Sequence, residues 1–228
     1  KQLPIPPYVV GAWLVDGDRG SARLTCFDAG ILRALRGYGQ IARPEKTKGR
    51  YGLIGLTRPL RSLGLLNNKH IPDVYLRASR AQRLELLQGL MDTDGTPERG
   101  YCEFSNTSPR LAADVHELVG SLGLKPRRAE GRATLYWKDC GPKYRVGFAA
   151  DKSRQVFRLK RKQNRLPDLL TTRAKMRAIT GCHPTESVPV RCIQVQAKSG
   201  MFLAGKTMIP THNSALAGNI IEHTASVG

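Results

Sequence analysis

Two stretches of the chain are apolar runs that end in Asp-Gly, VVGAWLVDG at 9–17 and LQGLMDTDG at 87–95. In the first, Pro6 and Pro7 suit an opening helical turn, where a missing N–H costs nothing, and Tyr8 to Val15 runs without a charge. That pattern predicts a helix buried on all sides. In the second, Ser79 stands as an N-cap before AQRLELLQGLMD. Gly17 and Gly95 occupy positions where left-handed caps end helices. Gly11 and Gly89 each lie four residues before a small or medium residue, Val15 and Thr93, and let two backbones approach closely. Packing the helices side by side brings Asp16 and Asp94 to one place, and a pair of carboxylates there is fit to bind a divalent cation.

One apolar helix ending in Asp-Gly is commonplace; two in parallel contexts are not. After each comes a strand-like stretch, ARLTCF at 22–27 and YCEFSN at 101–106. A helical stretch follows, AGILRALRGYG at 29–39 and SPRLAADVHELVGSLG at 108–123, and then a basic β-like pair. The pattern predicts an α+β domain over 1–166 built from two repeats, about 1–75 and 76–166. Farther along, alternating apolar residues (Val190, Cys192, Val195, Phe202, Leu203, Ile209) predict strands around a Gly-rich turn, and residues 214–228 have a helical pattern.

Charge narrows the partner. With 37 Lys+Arg against 18 Asp+Glu, the formal charge is +19, far beyond what solubility requires. The basic residues Arg43, Lys46, Lys48, Arg50, Arg127, Arg128, Arg132, Lys138, Lys143 and Arg145 fall in the predicted strand regions. Two curved sheets of that kind can straddle a duplex and read its major groove, with an affinity that falls steeply with salt. Other basic proteins, ribosomal ones included, offer no reason for a duplicated buried helix bearing an acid.

The twin motifs resemble those of the LAGLIDADG homing endonucleases in single-chain, two-repeat form. TRPLRSLGLLNNKHIPD at 57–73 and YRVGFAADKSRQVFRLKRKQNRL at 144–166 are similar to the segments that close the two repeats of such enzymes inside inteins. The resemblance implies a pseudo-twofold fold of two αββαββα-like repeats. It also implies a monomer that cuts both strands of a long, asymmetric DNA site with Mg²⁺ or Mn²⁺. By the same resemblance Asp16 and Asp94 are the metal-binding carboxylates, and Lys69 and Lys162 match the lysines that assist water activation and charge stabilisation. The chemistry agrees: phosphodiester hydrolysis needs hard oxygen ligands, a metal-acidified water and cationic groups at the transition state. The plainer alternatives are a solvated loop lysine for Lys69 and a phosphate contact for Lys162 within RLKRK. Val15 is larger than the Ala or Gly usual in the motif and is expected to spread the helices and weaken the nuclease. The alternative function is a nuclease-inactive intein part that only binds DNA or supports splicing.

A second signature lies at the end of VPVRCIQVQAKSGMFLAGKTMIPTHNS. In His212-Asn213-Ser214, an Asn side-chain nitrogen can attack its own carbonyl, His212 can protonate the departing amine and Ser214 can accept an acyl group on oxygen. Residues 188–214 resemble the C-terminal splicing segment of an intein, which implies a partial β-rich Hint segment over 167–213 with Asn213 as its last residue. Cys192 with Thr211 resembles the Cys and Thr of the Trp-Cys-Thr signature of class 3 inteins, where the internal cysteine attacks the upstream junction. The other reading of Cys192 is a small core residue. Residues 214–228 resemble the chain just after the P-loop Gly-Lys of DnaB-type replicative helicases, so Ser214 is expected to serve as splicing acceptor and then as a nucleotide-site residue. Splicing then requires an N-terminal intein segment and the flanking host helicase exteins as partners, and the signature tryptophan belongs upstream of Lys1.

No apolar run reaches the length of a membrane span, the start KQLPIPPYVV lacks a signal-peptide layout, and the expected location is the cytoplasm of a bacterial or phage-infected bacterial cell. Five cysteines without paired spacing indicate neither a disulfide framework nor a zinc site. An ATP-driven helicase module needs a complete P-loop and a Walker-B strand, which this stretch lacks.

Overall fold

A computed structural model describes residues 2–171, 181–189, 193, 195–196, 198–205 and 208–212. The chain forms two units, Lys1–Ala174 and Lys175–Gly228. The first repeat of the larger unit runs α1 (Pro7–Asp16), β1 (Arg23–Thr25), α2 (Ala29–Gly37), β2 (Ala42–Pro44), β3 (Arg50–Leu53), α3 (Thr57–Ser62) and α4 (Asp73–Leu76). The second runs α5 (Arg80–Asp94), β4 (Thr96–Glu98), β5 (Tyr101–Asn106), α6 (Pro109–Ser121), β6 (Arg127–Leu135), β7 (Lys138–Ala149) and α7 (Lys160–Gln163).

The sheets show the duplication. The first has strand order β1-β3-β2 and the second β4-β5-β7-β6, all pairs antiparallel. Removing β4 leaves the same order in both, with β5, β7 and β6 in the places of β1, β3 and β2. Where the second repeat has β4, the first has only an isolated bridge between Gly17 and Leu24. The αββαββα pattern therefore holds in the second repeat and is one strand short in the first.

Local sequence explains the helices. Pro7 opens α1, and Tyr8 through Leu14 are buried on every face, as a run without charge requires. Ser79 caps α5 in a full capping box with Gln82. Asp28 and Ser108 cap α2 and α6 through their side chains. The core is continuous across both repeats: Trp13, Leu24 and Leu35 from the first join Leu90, Phe104, Val115 and Phe148 from the second. Burying each such side chain is worth about 1.5–3 kcal/mol.

Three expectations change. Gly17 and Gly95 are extended, with φ of −75° and −73°, and not left-handed. Glycine is needed there because the chain doubles back on its own helix: a Cβ would lie 2.3 Å from the Trp13 carbonyl oxygen at Gly17 and 2.4 Å from that of Met91 at Gly95. Lys46 and Lys48 lie in the turn between β2 and β3, outside either strand. The first unit extends past residue 166, since the Leu170 N–H donates to Asp151 and Pro167 packs on Gly100. In the smaller unit, β8 (Met201–Ala204) and β9 (Ile209–His212) pair antiparallel as the alternation predicts, while Val190, Cys192 and 213–228 lie outside the described residues.

Candidate active site

Helices α1 and α5 meet through their glycines. A Cβ on Gly11 would lie 2.4 Å from the Leu86 carbonyl oxygen, and one on Gly89 would lie 2.2 Å from that of Tyr8, so the backbones touch. Val15, half-buried against the core, does not keep the helices apart at this crossing.

Asp16 and Asp94 are the last residues of these helices. Partial burial pushes both carboxyls up, and the Asp94 charge adds to the shift of Asp16, which reaches about 6. Repulsion between two carboxylates is mutual, so a charge on either one disfavours ionisation of the other. Lys69 and Lys162 oppose the shift with their positive charge.

Those lysines sit at equivalent ends of the duplicated helices. Lys69 Nζ donates to the carbonyls of Val15 (3.3 Å) and Gly17 (2.5 Å). Lys162 Nζ lies within hydrogen-bond distance of four carbonyls: Met91 (3.0 Å), Asp92 (2.7 Å), Thr93 (3.0 Å) and Gly95 (2.8 Å). Helix C-termini leave carbonyls unsatisfied and carry partial negative charge, and a half-buried ammonium answers both. Four acceptors use all three Lys162 N–H bonds, so this lysine acts on the site as a fixed charge. With its ammonium on the Val15 and Gly17 carbonyls, Lys69 is not the solvated loop residue of the plainer reading.

Sequence reasoning missed Asp92. It is buried, accepts from the Tyr8 hydroxyl (2.8 Å) on one oxygen and from the Arg158 (3.0 Å) and Leu159 (3.1 Å) N–H groups on the other. It thus ties α1, α5 and the segment leading into α7 together. The available signal was an acid inside the apolar run, directly after Leu90 and Met91 and two residues before the helix end, where a helix buried all round buries it too. Around it, Arg158 donates to the Tyr38 hydroxyl (2.9 Å) and lies over both stacked rings of Tyr8 and Tyr38, and Arg161 pairs with Asp28. These contacts join the repeats beside a cleft of about 810 Å³ lined by Asp16, Asp28, Asp92, Thr93, Arg161 and Lys162.

The donor set fits a hard divalent cation. Among the described residues no group of three or more His, Cys, Asp or Glu forms a closed metal cage. Two carboxylates whose ionised forms are penalised gain from a cation, and Mg²⁺ takes its remaining ligands from water and phosphate.

In the smaller unit, β9 places Thr211 opposite Phe202 and His212 opposite Met201, both exposed. The Thr211 hydroxyl donates to the Ile209 carbonyl (3.2 Å). Cys192, Asn213 and Ser214 lie outside the described residues.

Comparison with known proteins places this arrangement. Residues 81–162, most of the second repeat, match the model of the LAGLIDADG-like domain family. The chain is also 40% identical over 220 residues, 95% of its length, to the replicative DNA helicase DnaB of Mycobacterium intracellulare, and it spans only 36% of that protein. A stretch of 50 residues is 46% identical to the DnaB helicase of Mycobacterium leprae, covering 21% of this chain and 8% of that one. Both findings fit the resemblance read from the sequence, an intein of a DnaB-type helicase carrying a LAGLIDADG endonuclease. Solved structures of the homing endonuclease I-DmoI are also similar: mesophilic variants at TM-score 0.44 and 13% identity (67% of this chain, 86% of that one), and a complex with DNA and Mn at 0.43 and 12% (70% and 95%).

Proposed function

We propose that the larger unit is a site-specific, divalent-metal-dependent DNA double-strand endonuclease carried in an intein of a DnaB-type helicase. The observation that supports this most is the delivery of Asp16 and Asp94 to one place by two duplicated helices in backbone contact, with Lys69 and Lys162 at the equivalent helix ends.

In this reading Asp16 and Asp94 hold the metal, Mg²⁺ or Mn²⁺. When bound, such a cation supplies an acidified water and neutralises charge on the scissile phosphate. Lys69 and Lys162 keep both carboxylates ionised and present positive charge where the phosphate's negative charge grows. Lys69 has two carbonyl acceptors for three N–H bonds, which leaves one directed donor for a water or phosphate oxygen. Asp92 positions the helix end and stays out of the coordination set, because both its oxygens already accept hydrogen bonds. The basic strands of the two sheets grip a long asymmetric duplex, and the protein acts as a monomer because both repeats lie in one chain.

The smaller unit is read as the C-terminal part of the splicing domain. Cys192 attacks the upstream junction, Ser214 receives the acyl group, and Asn213 cyclises with His212 as proton donor and Thr211 beside it. The unit works only with an N-terminal intein segment and the helicase exteins. Cys192→Ala in the full-length intein is expected to abolish the branched intermediate and leave DNA cleavage intact; persistent branching overturns the class 3 reading.

The endonuclease is tested with a plasmid carrying the uninterrupted helicase-gene junction. A cut near the junction with Mg²⁺ and none with EDTA is the expected result. Binding without a cut would mean a nuclease-inactive relative.

A further inference from the structure

Strands β6 and β7 form a ribbon that outruns its sheet. Strand β5 pairs with β7 only over Tyr144–Ala149, so Lys138–Lys143 and the facing part of β6 project past the end of β5. At about 3.3 Å per residue the projection reaches about 20 Å, the length of about six base pairs. The ribbon and its root carry Arg127, Arg128, Arg132, Lys138, Lys143 and Arg145 against Glu130 and Asp139. A two-stranded ribbon of this width fits the major groove.

Its tip is unusual. Leu135 pairs with Lys138, which leaves a two-residue turn made of Tyr136 and Trp137. Both have positive φ, 47° and 65°, the arrangement in which Asn-Gly is normally found and bulky residues are strained. Tyr136 is 92% exposed and Trp137 101%, so neither ring recovers that strain by packing. The first repeat has no such arm: β2 and β3 are 3 and 4 residues long, and Arg50 on β3 is paired with Asp18.

We propose that the Tyr136–Trp137 turn is a DNA-contacting tip, which seats its rings against the sugars and bases of the duplex at the outer end of the half-site covered by the second sheet. The proposal rests on the DNA-binding reading above. The basic ribbon selects a polyanion as the occupant, and exposed rings at its tip can pack on the apolar faces of the sugars and on thymine methyl groups at the base edges. Footprint and affinity are therefore lopsided, reaching farther on the side of the second repeat.

The test uses a relaxed turn. Tyr136→Asn with Trp137→Gly installs the residues the turn geometry favours, so the hairpin keeps its fold while losing both rings. Binding of the full chain to a junction duplex in EDTA is measured by anisotropy, together with acrylamide quenching of tryptophan. Trp13 is fully buried, so the quenchable emission reports Trp137. The expected results are protection of Trp137 on binding, about tenfold weaker affinity for the double variant at a melting temperature no lower than that of the natural chain, and loss of footprint at one end only. If the natural chain binds while Trp137 stays quenchable and the variant binds equally well, the tip proposal is wrong and the DNA-binding reading stands. If the natural chain binds no duplex, the broader reading fails. Protection that grows with protein concentration and without DNA would assign the tip to a second copy and overturn the proposal.

Discussion

Gly11 and Gly89 lie against each other's helix so closely that neither position has room for a methyl group: the nearest backbone oxygens are 2.4 and 2.2 Å from where a Cβ would sit. Everything at the site depends on this contact, because it fixes where α1 and α5 end. Gly89→Ala gains up to about 1 kcal/mol of helix propensity but forces the backbones apart, and overpacking costs about 1–3 kcal/mol. A net loss in urea unfolding is expected, with cleavage lost more completely than stability.

Tyr8 and Asp92 form the second tie between the repeats. Tyr8→Phe keeps the ring and removes the hydroxyl, leaving Asp92 with its two backbone donors. The expected cost is about 1–3 kcal/mol, since a hydrogen bond to a charged, buried group is lost. Asp92→Ala is expected to cost more, because two buried N–H groups lose their acceptor. Thermal melts of both variants check the order.

The carboxylate pair predicts a pH dependence for metal-free protein. The folded pKa of Asp16, about 6, lies above its unfolded value. Its stabilising contribution is therefore present below about pH 4 and is lost as pH rises through about 6. With Asp16 partly exposed, solvent screening reduces the effect to about 1 kcal/mol. Asp16→Asn in EDTA is expected to melt higher than the natural chain at pH 7, with the difference vanishing near pH 4; an equal or lower melting point at pH 7 would contradict the strained pair.

Lys162 and Lys69 differ in what they hold. Lys162→Met leaves the terminal carbonyls of α5 without their donor, at a cost of about 2 kcal/mol, whereas Lys69→Met frees fewer and costs less. Denaturant unfolding in EDTA separates the two.

Much of this was legible in the sequence because the repeat wrote it twice. The apolar runs, the Ser79 cap, the strand YCEFSN and the acidic helix ends follow from periodicity and capping chemistry. What was not legible depends on residues distant in sequence. Gly17 and Gly95 look like left-handed caps locally, yet the return of the chain over its own helix makes them extended. Asp92 looks like an ordinary acid near a helix end until the Arg158 backbone, 66 residues on, delivers its N–H. The missing strand of the first repeat and the long β6–β7 arm reflect pairing partners that no local pattern encodes.

The most direct measurement is plasmid cleavage by Asp16→Asn and Asp94→Asn in Mg²⁺, alongside binding of the same duplex in EDTA. Each substitution removes one of the two carboxylates proposed to hold the metal while leaving the helix contact at Gly11 and Gly89 in place. Cleavage should fall at least a thousandfold, on the order of 4 kcal/mol of transition-state stabilisation, with binding nearly unchanged. Cleavage retained by both variants would contradict the shared carboxylate site.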